Sequence, residues 1–162
     1  AAVKKYTDQL EDLDKWASDS MSAVPEQDRV LFSSHDAFGY FSNEYGVKFI
    51  GSALSDFNHQ QDATSSHIDE QVKKVRESGA KAIFAENSNN SKSIEAIARA
   101  AGVKAVTSDD ALYGDSLGVP GSEGETYIGS IVHNINTLVS AWGSEQQPLP
   151  ESLQAFDFAK RK

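Results

Sequence analysis

Hydrophobic and polar positions alternate along the chain in patterns typical first of a helix, then of strands and helices in turn. Residues 3–17 carry apolar side chains three and four positions apart, with Asp, Glu and Lys between them, which predicts an amphipathic helix. The pattern is lost from Met21 to Asp28, where Pro25 indicates a loop. Four later stretches have the helical spacing, and they predict helices over residues 36–45, 65–78, 91–101 and 126–142.

Short apolar runs of strand length precede these later helices. They predict strands over residues 29–33, 47–54, 81–85 and 103–107. Strands that alternate with helices imply right-handed crossovers and a parallel sheet. We therefore predict an α/β fold, a three-layer lobe with a four-stranded parallel sheet flanked by helices. The tail over residues 144–162 contains Pro148 and Pro150, and its pattern predicts no element.

Composition fits one globular domain and removes several classes of function. The chain has 162 residues and a net charge of -9, which argues against nucleic acid and anionic lipid as partners. It has no cysteine, so disulfides, thiolate zinc sites and cysteine catalysis are excluded. No apolar run approaches the ~20 residues that span a bilayer. The sequence starts at Ala1 rather than Met, so we expect a processed chain or an expressed piece without its targeting segment.

The segments that follow the four predicted strands carry most of the candidate chemistry. Ligands of parallel sheets bind beyond the carboxyl ends of the strands. The segments at these ends are residues 34–36, 53–56, 86–87 and 108–115, and three of them carry a His or an acidic residue close after the strand. The sequence therefore predicts a site at this edge of the sheet.

His35 and Asp115 are the first candidates at this edge. Imidazole binds zinc, copper or manganese well, and the end of a strand would hold His35 rigidly. The alternative for His35 is a histidine that caps a helix or orients a loop. Asp115 follows a glycine, so a turn aspartate is its alternative. Asp109 and Asp110 are rival carboxylates in the same loop.

Four further residues complete the set of candidates. Glu86 ends the third strand, where it either binds or orients a metal ligand or makes a turn contact. His59 and His67 flank a polar loop, and each is either an additional ligand or an ordinary surface histidine. His133 lies on the last helix, and we predict that its role is structural.

Two short motifs indicate other functions. Residues 114–117 read Gly-Asp-Ser-Leu and residues 56–59 contain Asp-x-x-His, which are the blocks of the GDSL serine hydrolases. There Ser116 would be the nucleophile and His59 its partner, but the two blocks stand in the opposite order from that family. Glycines at every third position from 118 to 124 precede the last helix, but no Lys-Ser/Thr follows them, so we interpret them as a turn rather than a phosphate cradle.

Four segments, taken in chain order, match the motifs of one known family. Residues 34–41 read Ser-His-Asp-Ala-Phe-Gly-Tyr-Phe, and residues 82–86 read Ala-Ile-Phe-Ala-Glu. The segment 115–129 begins Asp-Ser-Leu-Gly, and residues 132–135 read Val-His-Asn-Ile. Together they resemble the C-terminal lobe of the zinc- and manganese-binding solute-binding proteins of ABC transporters (cluster 9, or A-I).

The resemblance implies a metal site and its ligands. The histidine of the family's first motif falls on His35, and the aspartate of its later loop falls on Asp115. Manganese-selective members commonly have Glu at the first of these positions, so the histidine favours Zn²⁺, with Mn²⁺ as the alternative. Glu86 matches a family position near the site, which we do not expect to bind the metal directly.

The resemblance also implies a division of the chain. A complete member has two lobes joined by a long rigid helix, and the N-terminal lobe supplies two more histidines. We expect residues 1–22 to be the end of that helix, residues 29–143 the C-terminal metal-binding lobe and residues 144–162 a tail, with the N-terminal lobe absent. Two ligands leave a metal site open, so tight binding would need the other lobe, a second copy, or His59 or His67.

The expected function is capture of a divalent transition metal outside the cytoplasmic membrane and its delivery to an ABC permease, without catalysis. The location would be periplasmic or extracellular, and anchoring through a segment outside this chain stays open. A serine hydrolase using Ser116 and a ligand-free α/β interaction domain are the two alternatives.

Overall fold

A four-stranded parallel sheet lies at the centre of the computed structural model, which describes residues 2–33, 38–52, 65–87, 91–114 and 117–158. The strands are β1 (Val30–Ser33), β2 (Lys48–Ser52), β3 (Ala82–Phe84) and β4 (Lys104–Val106). The helices are α1 (Ala2–Ser22), α2 (Gly39–Tyr45), α3 (Ser65–Ser78), α4 (Lys92–Ala101) and α5 (Tyr127–Ala141). Short 3-10 helices cover Glu26–Asp28, Ser108–Asp110 and Glu151–Phe156.

The strand order is β2-β1-β3-β4, and every pairing is parallel. The two inner strands, β1 and β3, are buried throughout, which explains why every residue in them except Ser33 is apolar. Each strand begins one residue later than predicted. The prediction of a four-stranded parallel sheet is confirmed.

Helices cover both faces of the sheet, so the predicted three layers are also confirmed. Side chains of successive strand residues point to opposite faces. Leu31 packs in the core that contains α1 and α5, and its neighbour Phe32 packs in the core that contains α3 and α4. Both side chains are fully buried. Within the described residues, no helix is both long and apolar enough to cross a membrane.

Helix α1 extends further than its sequence pattern predicted. It continues to Ser22, whereas we placed a loop from Met21 onward. Trp16 and Met21 are 4% and 1% exposed, and both belong to the core beneath the helix. Tertiary burial of Met21 therefore keeps the last turn helical, and the loop begins just before Pro25.

The C-terminal strap, which we define as residues 143–158, packs back onto the lobe. The sequence pattern left this segment unassigned. Leu149 and Leu153 are 9% and 0% exposed, and they join the core formed by α1 and α5. The 3-10 helix of the strap contacts both of these helices. The strap is thus a part of the lobe.

Three hydrogen bonds fix the strap along α1. The Trp16 indole Nε1 donates to the Gln147 carbonyl at 3.2 Å, and the Gln9 amide donates to the Ser152 carbonyl at 3.1 Å. The Ser152 hydroxyl donates to the Asp12 carboxylate at 2.6 Å. Helix α1 is therefore held against the lobe by a segment more than 130 residues away in the chain.

Candidate functional site

Three chain segments that carry candidate ligands leave the sheet side by side. Ser33, the last residue of β1, pairs with Phe84, the last residue of β3. Two residues beyond β3, Glu86 forms a parallel bridge with Leu112. The segments that lead to His35 and to Asp115 therefore begin on either side of the segment that carries Glu86.

Four of the candidate residues lie outside the described residues, namely His35, His59, Asp115 and Ser116. His67 lies in the first turn of α3, where only the backbone is described.

Glu86 is a buried carboxylate at this edge. Its residue is 1% exposed. The preceding residue, Ala85, is anchored on both sides, because its amide donates to Val106 and its carbonyl accepts from Leu112. Burial of a carboxylate is costly unless a charge or hydrogen-bond donor faces it. Glu86 is therefore buried at the edge of the sheet where the sequence predicts the site.

The backbone groups of residues 112–114, just before Asp115, form hydrogen bonds with the side chains of Asn87 and Asn134 and with the Asn87 backbone. The Tyr113 amide donates to Oδ1 of Asn134 at 2.9 Å, and the Asn134 amide Nδ2 donates to the Tyr113 carbonyl at 2.9 Å. The Gly114 backbone N–H donates to Oδ1 of the Asn87 side chain at 3.2 Å, and the Asn87 backbone N–H donates to the Leu112 carbonyl at 2.8 Å. Residues 112–114 are therefore fixed in position immediately before the candidate ligand.

His133 joins the beginning and the end of the same loop. Its Nε2 lies 2.9 Å from the Ala111 carbonyl oxygen, and its Nδ1 lies 3.1 Å from a carboxylate oxygen of Glu123. The Tyr113 ring contacts the imidazole edge-to-face, with 4.8 Å between ring centroids. His133 is 5% exposed, and its burial and two contacts support the structural role predicted for it. Since a carbonyl oxygen only accepts, Nε2 donates to the Ala111 carbonyl.

The glycines before α5 form a tight turn, as we predicted. The Gly118 amide donates to the Gly124 carbonyl at 2.8 Å, which closes the neck of the turn, and Gly121 has a φ of 88°. The hydroxyl of Thr126 accepts from the Gly129 amide at 3.0 Å and caps the helix. This amide at the helix start is therefore bonded within the protein rather than presented to a phosphate.

Gly124 is a position where a side chain does not fit, because the Tyr113 ring lies against its Cα. We expect Gly124→Ala to lower the free energy of unfolding by about 1–3 kcal/mol through overpacking. Urea denaturation would measure the loss. The double variant Gly124→Ala, Tyr113→Ala would relieve the overlap, so its loss should be smaller than the sum of the two single losses. Strictly additive losses would contradict this packing.

Tyr45 connects the helix after the His35 segment to α1. Its hydroxyl lies 3.2 Å from the Asp14 carboxylate and donates to it. Burial, assisted by the charge of Asp14, raises the pKa of the Tyr45 phenol well above its ordinary value. The phenol therefore stays protonated and keeps the hydrogen bond that fixes α2.

Among the residues described, no group of three or more His, Asp and Glu side chains could hold a metal ion.

The architecture is a parallel α/β sheet with helices on both faces, and the comparisons assign its family. The sequence profile of ZnuA, described as zinc-uptake complex component A periplasmic, matches residues 1–141, and the chain belongs to this family. The resemblance inferred from the sequence is thereby confirmed. The C-terminal strap lies beyond the matched residues.

Relatives of known name cover most of this chain. The manganese-binding lipoprotein MntA of Bacillus subtilis is 40% identical over 141 residues, which are 86% of this chain and 45% of that protein. The zinc-binding protein TroA of Treponema pallidum is 33% identical over 138 residues, which are 84% of this chain and 44% of that protein. The chain thus spans about half the length of these curated relatives.

Solved structures give the same picture of the fold. The periplasmic zinc-binding protein TroA from Treponema pallidum superposes with a TM-score of 0.73 at 31% identity, covering 88% of this chain and 51% of that one. A Cd-bound periplasmic metal-binding protein from Candidatus Liberibacter asiaticus superposes with a TM-score of 0.72, covering 86% of this chain and 50% of that one. At 19% identity, this second likeness supports the fold alone.

Sequence reasoning missed three side chains that hold the loop, namely Asn87, Glu123 and Asn134. The available signal was on α5, where His133 and Asn134 interrupt an apolar run although both are buried. Buried polar side chains need hydrogen-bond partners. Two such neighbours on one helix therefore predict a polar backbone segment packed against it.

Proposed function

We propose that the chain is the C-terminal lobe of an extracytoplasmic binding protein that captures a divalent transition metal and delivers it to an ABC permease. The observation that carries the proposal is the convergence of three segments at one sheet edge. The pair Ser33–Phe84 and the bridge Glu86–Leu112 bring the approaches to His35, Glu86 and Asp115 together. Membership of the zinc-uptake family supports the same reading.

The exposed start of α1 and the length of the relatives support the proposed division of the chain. Residues 1–22 would be the end of a helix between lobes, residues 29–143 the metal-binding lobe and residues 144–162 its tail, which packs onto the lobe through Leu149 and Leu153. The first turns of α1 project from the core, since Val3 is 83% exposed and Tyr6 is 48% exposed. Exposed apolar side chains in its first turns are expected of a helix that continues toward another lobe.

His35 and Asp115 are the proposed metal ligands. Glu86, which is buried at the same edge, would orient one of them through a hydrogen bond rather than bind the metal. Two protein ligands leave positions for water, so the chain by itself should bind zinc weakly. A second lobe, a second copy of the chain, or His59 or His67 would complete a tight site.

Zinc is the proposed metal, with manganese as the alternative. The relatives include both a manganese-binding lipoprotein and a zinc-binding protein. An imidazole ligand suits zinc better than manganese, which prefers carboxylate and water oxygens. Titration of the chelator-treated chain with each metal, read by calorimetry, tests the choice, and we expect the smaller dissociation constant for zinc. Equal or tighter manganese binding would contradict the preference.

The proposed activity is binding without covalent chemistry. The hydrolase alternative needs Ser116 and His59, both of which lie outside the described residues, and the family gives it no support. Turnover of an ester that disappears in Ser116→Ala would establish the alternative and overturn the proposal. Failure of every metal tested to raise the melting temperature would instead favour the ligand-free domain.

Zinc affinity should fall as the pH is lowered. A ligand histidine binds only when neutral and an aspartate only when ionised, so protons compete with the metal. Below the ordinary histidine pKa of about 6.5, we expect the apparent dissociation constant to rise roughly tenfold per pH unit. Titrations at successive pH values measure this slope. Affinity that is constant across the histidine range would contradict an imidazole ligand.

A further inference from the structure

The loop that carries Asp115 is held by one helix at both of its ends. His133 bonds to Ala111 before the loop and to Glu123 after it, at 2.9 and 3.1 Å. The next residue of α5, Asn134, bonds to both backbone groups of Tyr113 at 2.9 Å each. Val132 and Ile135, which flank this pair, are completely buried in the core. The loop is thus fastened to a helix that is packed into the core.

The bonds of Asn134 require a side-chain amide. Its oxygen accepts from the Tyr113 N–H and its nitrogen donates to the Tyr113 carbonyl, so the side chain pairs with this residue as a neighbouring strand would. An ionised aspartate has no donor and leucine has neither group. Because Asn134 is 3% exposed, water does not readily replace a lost bond.

Asn87 continues this support one residue closer to Asp115. Its side-chain Oδ1 accepts from the Gly114 backbone N–H at 3.2 Å, and its backbone N–H donates to the Leu112 carbonyl at 2.8 Å. Unlike Asn134, Asn87 is exposed. Asn87 directly follows Glu86 in the chain. Its hydrogen bonds therefore link the segment of the buried carboxylate to the backbone that leads to Asp115.

We propose that Asn134, His133 and Asn87 are positioning residues of the metal site, which fix residues 111–114, the backbone immediately before the proposed ligand Asp115. The inference rests on the proposed function, because it takes Asp115 as a ligand. Groups that orient a metal ligand typically change affinity about 10–100-fold when they are replaced. Asn134 should have the largest effect, since it makes two bonds to a residue only two positions before the ligand.

The test is zinc affinity of the full chain, measured by competition with a chelator, in Asn134→Asp, Asn87→Ala and Asn136→Asp. Asn136 lies two residues further along α5 and provides a control with the same change of charge. We expect a loss of about 10–100-fold for Asn134→Asp, a smaller loss for Asn87→Ala and little change for Asn136→Asp. Melting temperatures without metal separate these effects from stability.

The pH dependence of Asn134→Asp gives a readout that general destabilisation would not produce. When the introduced carboxyl is protonated, it regains a donor for the Tyr113 carbonyl. Its affinity relative to wild type should therefore recover as the pH falls, whereas the ratio for Asn136→Asp should stay flat. Should Asn134→Asp fail to fold, the exposed position of Asn87 keeps the inference testable, with lower affinity expected at an unchanged melting temperature.

The outcomes distinguish this inference from the proposed function. Zinc binding that depends on His35 but is unchanged in Asn134→Asp and in Asn87→Ala would overturn the inference alone. Wild-type protein that binds neither zinc nor manganese, or binds zinc equally well in His35→Ala, would overturn the proposed function and the inference with it.

Discussion

A chain that stops after Gly143 is expected to lose a large part of the stability of the lobe. The deletion removes Leu149 and Leu153 from the core beneath α1, together with the bonds from Trp16 and Gln9. Burial of each leucine is worth about 1.5–3 kcal/mol, against a total stability of about 5–15 kcal/mol for a typical domain. Thermal unfolding followed by circular dichroism would measure the loss.

Single substitutions refine this test of the C-terminal strap. Leu153→Ala should cost about 2–5 kcal/mol, because Leu153 is completely buried. The neighbouring Glu151→Ala changes an exposed side chain and should stay within about 0.5 kcal/mol of wild type. Wild-type stability in both the truncated chain and Leu153→Ala would mean that the strap does not pack on α1 in solution.

Replacement of either proposed ligand is expected to abolish zinc binding. With only two protein ligands, His35→Ala or Asp115→Ala leaves one, so each loss should exceed the roughly 10–100-fold effect of an orienting group. Calorimetric titration of the chelator-treated variants would measure it. Micromolar or weaker binding is expected for the wild type.

Matched variants make the ligand test specific. His59→Ala removes another histidine, and Asp110→Ala removes an exposed carboxylate from the same loop as Asp115. Neither should change zinc affinity by more than a few fold if His35 and Asp115 are the ligands. A loss in His59→Ala equal to that in His35→Ala would place His59 in the ligand set and revise the proposal.

The periodic elements were predictable because burial on one face leaves a regular pattern. Helix α4 was predicted over 91–101 and is observed at Lys92–Ala101, and its Ile94 and Ile97 are buried as expected. The strap was not predictable, because its two prolines and irregular apolar spacing fit no regular element. Its position depends on contacts with α1 that are distant in the sequence.

The candidate site was predictable only in part. The predicted strand ends indicated only that a site lies at the carboxyl edge of the sheet. The resemblance to the metal-binding family was needed to select His35 and Asp115 as the ligands. The support of the loop was not predictable, since Asn134 gains its role only when Tyr113 is known to lie opposite. A buried asparagine on an apolar helix indicates that a partner exists without identifying it.

The most direct test of the metal site is an amide NMR spectrum of the isotope-labelled chain, recorded with small additions of Mn²⁺ as a paramagnetic probe. The signals of Ser33, Phe38, Gly114 and Leu117, which flank His35 and Asp115, should broaden first. Those of Lys81, just before β3, and Lys104, the first residue of β4, should persist because they lie at the opposite edge of the sheet. Added Zn²⁺ should restore the signals, and His35→Ala should show little broadening. Broadening centred on another part of the lobe, or unchanged in His35→Ala, would contradict the proposed site.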